Sequence, residues 1–258
     1  MKPISEFKNQ KVNILLTDID GTLTSDGRIP SNSYEAMWKL YHAGIKVIPV
    51  TGRPAGWCEM IARTWPVHGV VGENGAFYFS LQKSRMKRFY AVDAKTRKKN
   101  RTSLKAIAND VLKKVSNARI ASDQFARQFD LAIDFAEDVG PLPTKDIQQI
   151  VKIFEKHGAI AKVSNIHVNG WFGNYDKVST CKIYLEKEFG LSAQASLMHC
   201  AFIGDSPNDE PMFKYFPESV AVSNIRDFLP SLKHKPTYIC TKPEAEGFVE
   251  FCSHLLKL

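Results

Sequence analysis

Val12-Asn13-Ile14-Leu15-Leu16-Thr17-Asp18-Ile19-Asp20-Gly21-Thr22-Leu23-Thr24 is the stretch that decides the fold. The apolar run reads as a buried strand, and the Asp-x-Asp-Gly-Thr that follows puts two carboxylates at the strand's C-terminal end. In an open α/β sheet that edge is where ligands bind. Two acids one residue apart repel one another unless a cation or a shared proton compensates. Mg²⁺ is the natural compensation, a hard cation that takes a few carboxylates and leaves room for a substrate phosphate.

Outward from this stretch, strands and helices alternate. A helix is expected from Ser31 to His42, stopped by Gly44, and a second buried strand over 45–50, weakened by Pro49. Thr51-Gly52-Arg53 ends that strand, and Pro54 starts a helix that runs to about Thr64, with Trp57 and Trp65 expected to pack it on the sheet. Gly69-Val70-Val71-Gly72 is a third strand, leading through Glu73-Asn74-Gly75-Ala76 into Phe77-Tyr78-Phe79. Near Ser84 the pattern changes. Helical periodicity over 103–115 and 144–157, with strands at 131–135 and about 159–168, describes a compact inserted α/β module. The alternation seen over the first 84 residues resumes near Asn174, with a helix over 177–189, strands at 200–203, 219–222 and 237–240, and a closing helix from Glu244. The expected architecture is a doubly wound, Rossmann-like parallel-sheet core built from 1–84 and 173–258, interrupted by a cap over 85–172.

Asp-x-Asp alone is a weak signal, since acids near strand ends also cap helices. The recurrence of polar groups after three apolar strands sharpens it, because parallel strands would bring Asp18, Asp20, Thr51 and Asp205 to one edge. Asp18-x-Asp20-Gly-Thr, Thr51-Gly-Arg, Lys177 and Gly204-Asp205-Ser206-Pro207-Asn208-Asp209, in that order, resemble the four motifs of the haloacid dehalogenase superfamily of aspartate-nucleophile phosphatases. Glu73-Asn74-Gly75-Ala76 is similar to a turn of the subfamily with a large α/β cap between the second and third motifs, which includes sucrose, mannosyl-3-phosphoglycerate and other sugar-phosphate phosphatases.

That resemblance implies Mg²⁺-dependent hydrolysis of a small phosphate monoester, a sugar phosphate above all. Asp18 is then the nucleophile of an aspartyl-phosphate intermediate, and Asp20 the acid that protonates the leaving alcohol and later the base that takes a proton from water. Asp18, Asp205 and the backbone carbonyl of Asp20 hold the metal, with Asp209 and Asn208 positioning Asp205, the metal's waters and the lysine. Gly21, Thr51 and Gly52 contact phosphoryl oxygens, Thr51 being equally suited to cap the helix it precedes. Lys177 supplies a positive charge to the transition state, although Lys182 stays open as the alternative because Val178 stands where the family has Gly. Arg53 either touches substrate or pairs with an acid. Asn74, with His167 and Asn169 of the strip His167-Val168-Asn169-Gly170-Trp171-Phe172, completes the expected substrate contacts, while Trp171 and Phe172 suit hinge packing.

Composition sets the outer bounds. The 258 residues, 44% hydrophobic and 24% charged, suit a folded protein with a sizeable core. No apolar stretch reaches the length of a membrane span and the first residues lack the apolar region of a signal peptide, so the expected location is the cytoplasm. Five scattered cysteines with no C-x-x-C pair indicate neither a disulfide framework nor a zinc site. The net charge of +8 sits entirely in residues 85–172, with 17 Lys+Arg against 9 Asp+Glu. Lys95-Thr96-Arg97-Lys98-Lys99-Asn100-Arg101 reads as a solvated face, and no nucleic-acid motif accompanies it. The expected partner is a small phosphorylated metabolite, with no nucleic acid and no membrane, for a monomer or weak dimer. A phosphosugar mutase, or an idle scaffold binding through the basic region, is the alternative.

Overall fold

The computed structural model describes residues 1–164 and 166–257. The first part of the chain forms β1 (Lys2–Pro3), β2 (Ile14–Thr17), α1 (Ser31–His42), β3 (Lys46–Pro49), α2 (Ala55–Thr64), β4 (Val70–Gly72), β5 (Phe77–Gln82) and β6 (Arg85–Tyr90). The middle forms α3 (Ala94–Lys114), β7 (Arg119–Ile120), β8 (Asp130–Asp134), α4 (Thr144–Lys156), β9 (Ile160–Val163) and β10 (His167–Trp171). The last part forms α5 (Lys177–Phe189), α6 (Ala193–His199), β11 (Cys200–Gly204), α7 (Glu210–Tyr215), β12 (Ser219–Ala221), β13 (Tyr238–Ile239) and α8 (Glu244–Leu255).

Six strands make a parallel sheet in the order β1-β13-β12-β11-β2-β3. Its central strands are apolar on both faces because helices cover both. Leu15, Val47 and Ala201 pack with Met37 and Leu40 of α1, Ile61 of α2 and Phe248 and Phe251 of α8. Ile14, Leu16, Ile48 and Phe202 pack on the other side with Cys181, Tyr184 and Leu185 of α5 and with Met212 and Phe213 of α7. Burial of each such side chain stabilises the fold by about 1.5–3 kcal/mol. A bridge between Val50 and Val71 links this sheet to the antiparallel sheet β4-β5-β6. All five cysteines are buried and unpaired. No helix among the described residues is long and apolar enough to cross a membrane.

The middle segment builds a four-stranded antiparallel sheet, β7-β8-β10-β9, with its own core. Leu131, Ile133 and Val168 face Leu104, Ile107 and Val111 of α3 and Ile150 and Phe154 of α4. Alternation along the strands turns the residues between them, Ala132, His167 and Asn169, to the opposite face.

Several elements differ from the sequence expectation. Residues 85–90 are a strand paired with β5 along its length, so the change of pattern at Ser84 falls on a hairpin turn. Its alternating charges disguise it because it lies on an exposed sheet edge. Helix α3 begins at Ala94 rather than near 103, because the Asp93 side chain accepts from the Thr96 amide at 2.8 Å and caps it. The basic run is the exposed start of that helix. The single strand expected over 159–168 is two, β9 and β10, reversed after Ser164, whose amide donates to the His167 carbonyl at 2.8 Å.

Candidate active site

Neighbouring parallel strands β11, β2 and β3 end on the same edge. The ladder continues one residue past β2, where the Asp18 amide donates to the Ile203 carbonyl at 2.9 Å, and past β3, where Val50 donates to Thr17 at 2.8 Å. Asp18 and Asp205 are thereby set side by side at the tip of the sheet, both buried. A one-turn helix after Asp205 brings Asp209 back beneath it. One oxygen of Asp209 accepts from the Asp205 amide at 3.1 Å. Asp18, Asp205 and Asp209 each present a carboxylate oxygen within 4.8 Å of the others.

Lys177 enters this cluster from the start of α5. Asp176 and Ser179 close a capping box that fixes the first turn. The Lys177 ammonium, itself buried, lies 2.8 Å from Asp18 and 2.7 Å from Asp209. Burial alone would lower its pKa, but the two carboxylates hold it well above the ordinary lysine value. Burial pushes the Asp18 carboxyl up to about 7; Lys177 opposes this, while Asp209 and Asp20 add to it. Three buried carboxylates are gathered here around one ammonium. The donor set is all oxygen, which suits a hard divalent cation rather than a thiophilic metal. Lys182 is elsewhere, with its ammonium 5.0 Å from the centre of the Tyr215 ring.

Asp20 points away from the three acids. Arg53 grips it with Nε and Nη2, at 3.0 and 2.8 Å, and lies over the Trp57 ring at 4.5 Å. Trp57 therefore carries this arginine on the helix's open side instead of packing α2 on the sheet, whereas Trp65 is partly buried against the core. Gly21, at φ +76°, takes the turn that L side chains resist, and its amide donates to the Thr24 hydroxyl at 3.1 Å. The Thr51 hydroxyl is buried and accepts from the Arg53 amide at 3.0 Å, a capping contact.

These groups open onto a cavity of about 350 Å³. Asp18, Asp20, Gly21, Gly52, Arg53, Asn74 and Asn208 line it from the parallel-sheet side, and His167 and Asn169 from the four-stranded sheet. Asn74 holds φ +56° within the turn after β4, where Gly75, at φ +100°, lies so close to Asp176 that no side chain fits. The Gly75 carbonyl accepts from the Thr180 hydroxyl, which ties that turn to the helix carrying Lys177. Asn208 accepts from Ser206 at 2.8 Å. Asn169 is tied to Asp130 at 2.9 Å. Trp171 stacks on Tyr175, their centres 6.0 Å apart, away from the cavity lining.

Four contributors escape the sequence reading. Asn224 donates to Asp205 and to the Gly21 carbonyl, both at 3.2 Å, joining two of the loops. Glu73, buried between the two sheets, accepts from the amides of Ala55, Gln128, Phe129 and Asp130 at 2.6–3.1 Å. Arg127 bridges Asp123, Asp130 and the Gly52 carbonyl. Glu137 reaches Arg53 across the cavity at 3.1 Å. Glu73 opens the Glu73-Asn74-Gly75-Ala76 turn, where the sequence assigns it no role; the others have no local signature.

The chain is similar to several known proteins. A phosphoglycolate phosphatase of Methanospirillum hungatei is 28% identical over 246 residues, covering 92% of this chain and 93% of that protein. Among solved structures, the Thermoplasma acidophilum protein 0175 is 19% identical with a TM-score of 0.73, covering 96% of this chain and 99% of that one. A subclass IIB sugar phosphatase of the haloacid dehalogenase superfamily is 17% identical with a TM-score of 0.66, covering 96% and 100%. These two likenesses show the fold. The family model for haloacid dehalogenase-like hydrolases matches residues 15–121 and 145–251, and the chain belongs to that family.

Proposed function

We propose that this protein is a Mg²⁺-dependent phosphatase that hydrolyses the phosphate monoester of a small metabolite, a sugar phosphate by preference, with Asp18 as nucleophile. The observation that carries the reading is the buried Lys177 ammonium within 2.8 Å of both Asp18 and Asp209, beside Asp205, with Asp18 lining the cavity. A carboxylate attacks a phosphate ester only where surrounding positive charge offsets the repulsion.

An oxygen of Asp18 attacks phosphorus, the bond from phosphorus to the alcohol oxygen breaks, and Asp20 delivers a proton to that oxygen. Water then attacks the aspartyl-phosphate, giving its proton to Asp20 and freeing inorganic phosphate. Arg53 orients Asp20, and must yield one of its contacts when Asp20 carries the proton. Lys177 stabilises the charge that develops on the phosphoryl oxygens. Asp18, Asp205 and Asp209, with the Asp20 carbonyl, would hold Mg²⁺, which when bound neutralises phosphoryl charge. Residues 94–171 act as the cap that covers the site and excludes water, with Glu73 and Arg127 fastening it.

The names of the relatives support the phosphatase reading, one being a phosphoglycolate phosphatase, while a structure of the same fold is a sugar phosphatase. The test is phosphate release from a panel of sugar phosphates, nucleotides and an aryl phosphate, with and without Mg²⁺. Metal-dependent turnover lost in Asp18→Asn is expected. Turnover that survives in Asp18→Asn, or none on any ester by folded protein, sinks the proposal.

A further inference from the structure

The cavity wall facing Asp20 comes from the four-stranded sheet and the loop after β8. Asp134, buried at the end of β8, accepts from the amides of Ala136, Glu137 and Asp138 at 3.0, 2.8 and 2.9 Å. The loop is thus folded around one carboxylate, and Glu137 is presented to the cavity on a fixed backbone. One oxygen of Glu137 lies 3.1 Å from Nη1 of Arg53 and the other 2.9 Å from Nε2 of His167. The contact with His167, against the effect of burial and helped by Arg53, holds its carboxyl down at about 2.

Every cationic group on this wall is already matched by an acid. Arg53 spans Asp20 and Glu137. Arg127 is enclosed by Asp123, Asp130 and the Gly52 carbonyl. Among the described residues lining the cavity, none is a cation without a carboxylate partner. A substrate carboxylate entering here would meet Glu137 and find no counter-charge, whereas hydroxyl groups would find an acceptor with lone pairs to spare.

We propose that Glu137 selects the leaving group by charge, so that the site takes phosphate esters of neutral, hydroxyl-bearing alcohols and rejects esters whose alcohol half carries a carboxylate, such as phosphoglycolate. This rests on the phosphatase reading above and narrows it. Glu137 sits one guanidinium away from Asp20, the group assigned to protonate the leaving oxygen, and so borders the volume the alcohol half occupies.

The experiment compares kcat/KM for a hexose 6-phosphate and glycerol phosphate with that for 2-phosphoglycolate and 3-phosphoglycerate, each normalised to an aryl phosphate. Wild type is expected to favour the neutral esters at least tenfold, a ratio that needs no variant. Glu137→Gln is expected to cut that ratio about tenfold, chiefly through a lower KM for the carboxylated esters. An active wild type that prefers carboxylated esters, or a variant that slows both classes equally, overturns the role of Glu137 and leaves the phosphatase reading standing. Absence of hydrolysis on every ester, the aryl phosphate included, removes both.

Discussion

The Lys177 ammonium and the Asp18 carboxylate are 159 residues apart in sequence and 2.8 Å apart in space, both buried. Removing one partner of such a pair leaves the other charge buried without compensation. Lys177→Met is expected to destabilise the protein by about 3–5 kcal/mol. Urea denaturation of wild type and variant measures this, and a change under about 1 kcal/mol would mean that the acids find another partner.

Asp18→Asn keeps the shape of the side chain and removes the nucleophile. Turnover should fall on the order of 10⁴-fold or more, as for loss of the attacking group in other covalent mechanisms, while the melting temperature holds or rises. Single-turnover phosphate release with parallel thermal melts checks both.

Three buried acids with one lysine among them should bind Mg²⁺ in the folded state alone. Magnesium at about a hundred times its Kd adds about 2.7 kcal/mol, a rise of several degrees in melting temperature. Asp205→Asn should abolish most of that shift. A Mg²⁺ response unchanged in Asp205→Asn would place the ion elsewhere.

Glu137 has its carboxyl held at about 2, below the ordinary 4.5. A depressed acid contributes stability that is complete above the unfolded value and disappears as pH falls through the folded one. The advantage of wild type over Glu137→Gln should therefore shrink as pH falls from 4.5 to about 2. Denaturation across that range reads it directly; a gap that does not narrow refutes the ion pairing.

Glu73→Gln replaces a carboxylate that receives four backbone amides with a group having one acceptor oxygen. Each amide left without a partner costs about 1–3 kcal/mol. Hydrogen exchange at Gln128, Phe129 and Asp130 should quicken about tenfold or more, with the strands β2 and β11 unaffected. Uniform acceleration would mean global destabilisation instead.

The parallel sheet and the meeting of Asp18 with Asp205 are legible in the sequence because each acid follows a run of apolar residues, and periodicity reports such a run locally. Lys177 is marked by its place at a helix start, and its choice over Lys182 needs the structure, since both precede apolar residues on one helix. Glu137 and Glu73 are not legible as functional groups. Their partners lie 84 and 55 to 57 residues away, and no spacing rule encodes contacts between loops of two different sheets. The start of α3 escapes because seven mostly basic residues hide an amphipathic pattern, and only the cap at Asp93 discloses it.

Strand β2 pairs with β3 on one side and with β11 on the other, through Ile14 and Cys200. During synthesis its first partner appears within tens of residues, but the second must wait for roughly 10–40 s at ordinary elongation rates. Throughout that interval the nascent chain exposes an unpaired, mostly apolar strand edge, the kind of surface that invites pairing with a foreign chain. Translation order thus makes a strand buried along its whole length in the finished molecule a vulnerable one on the ribosome, and no hydrolytic centre exists until that edge is closed.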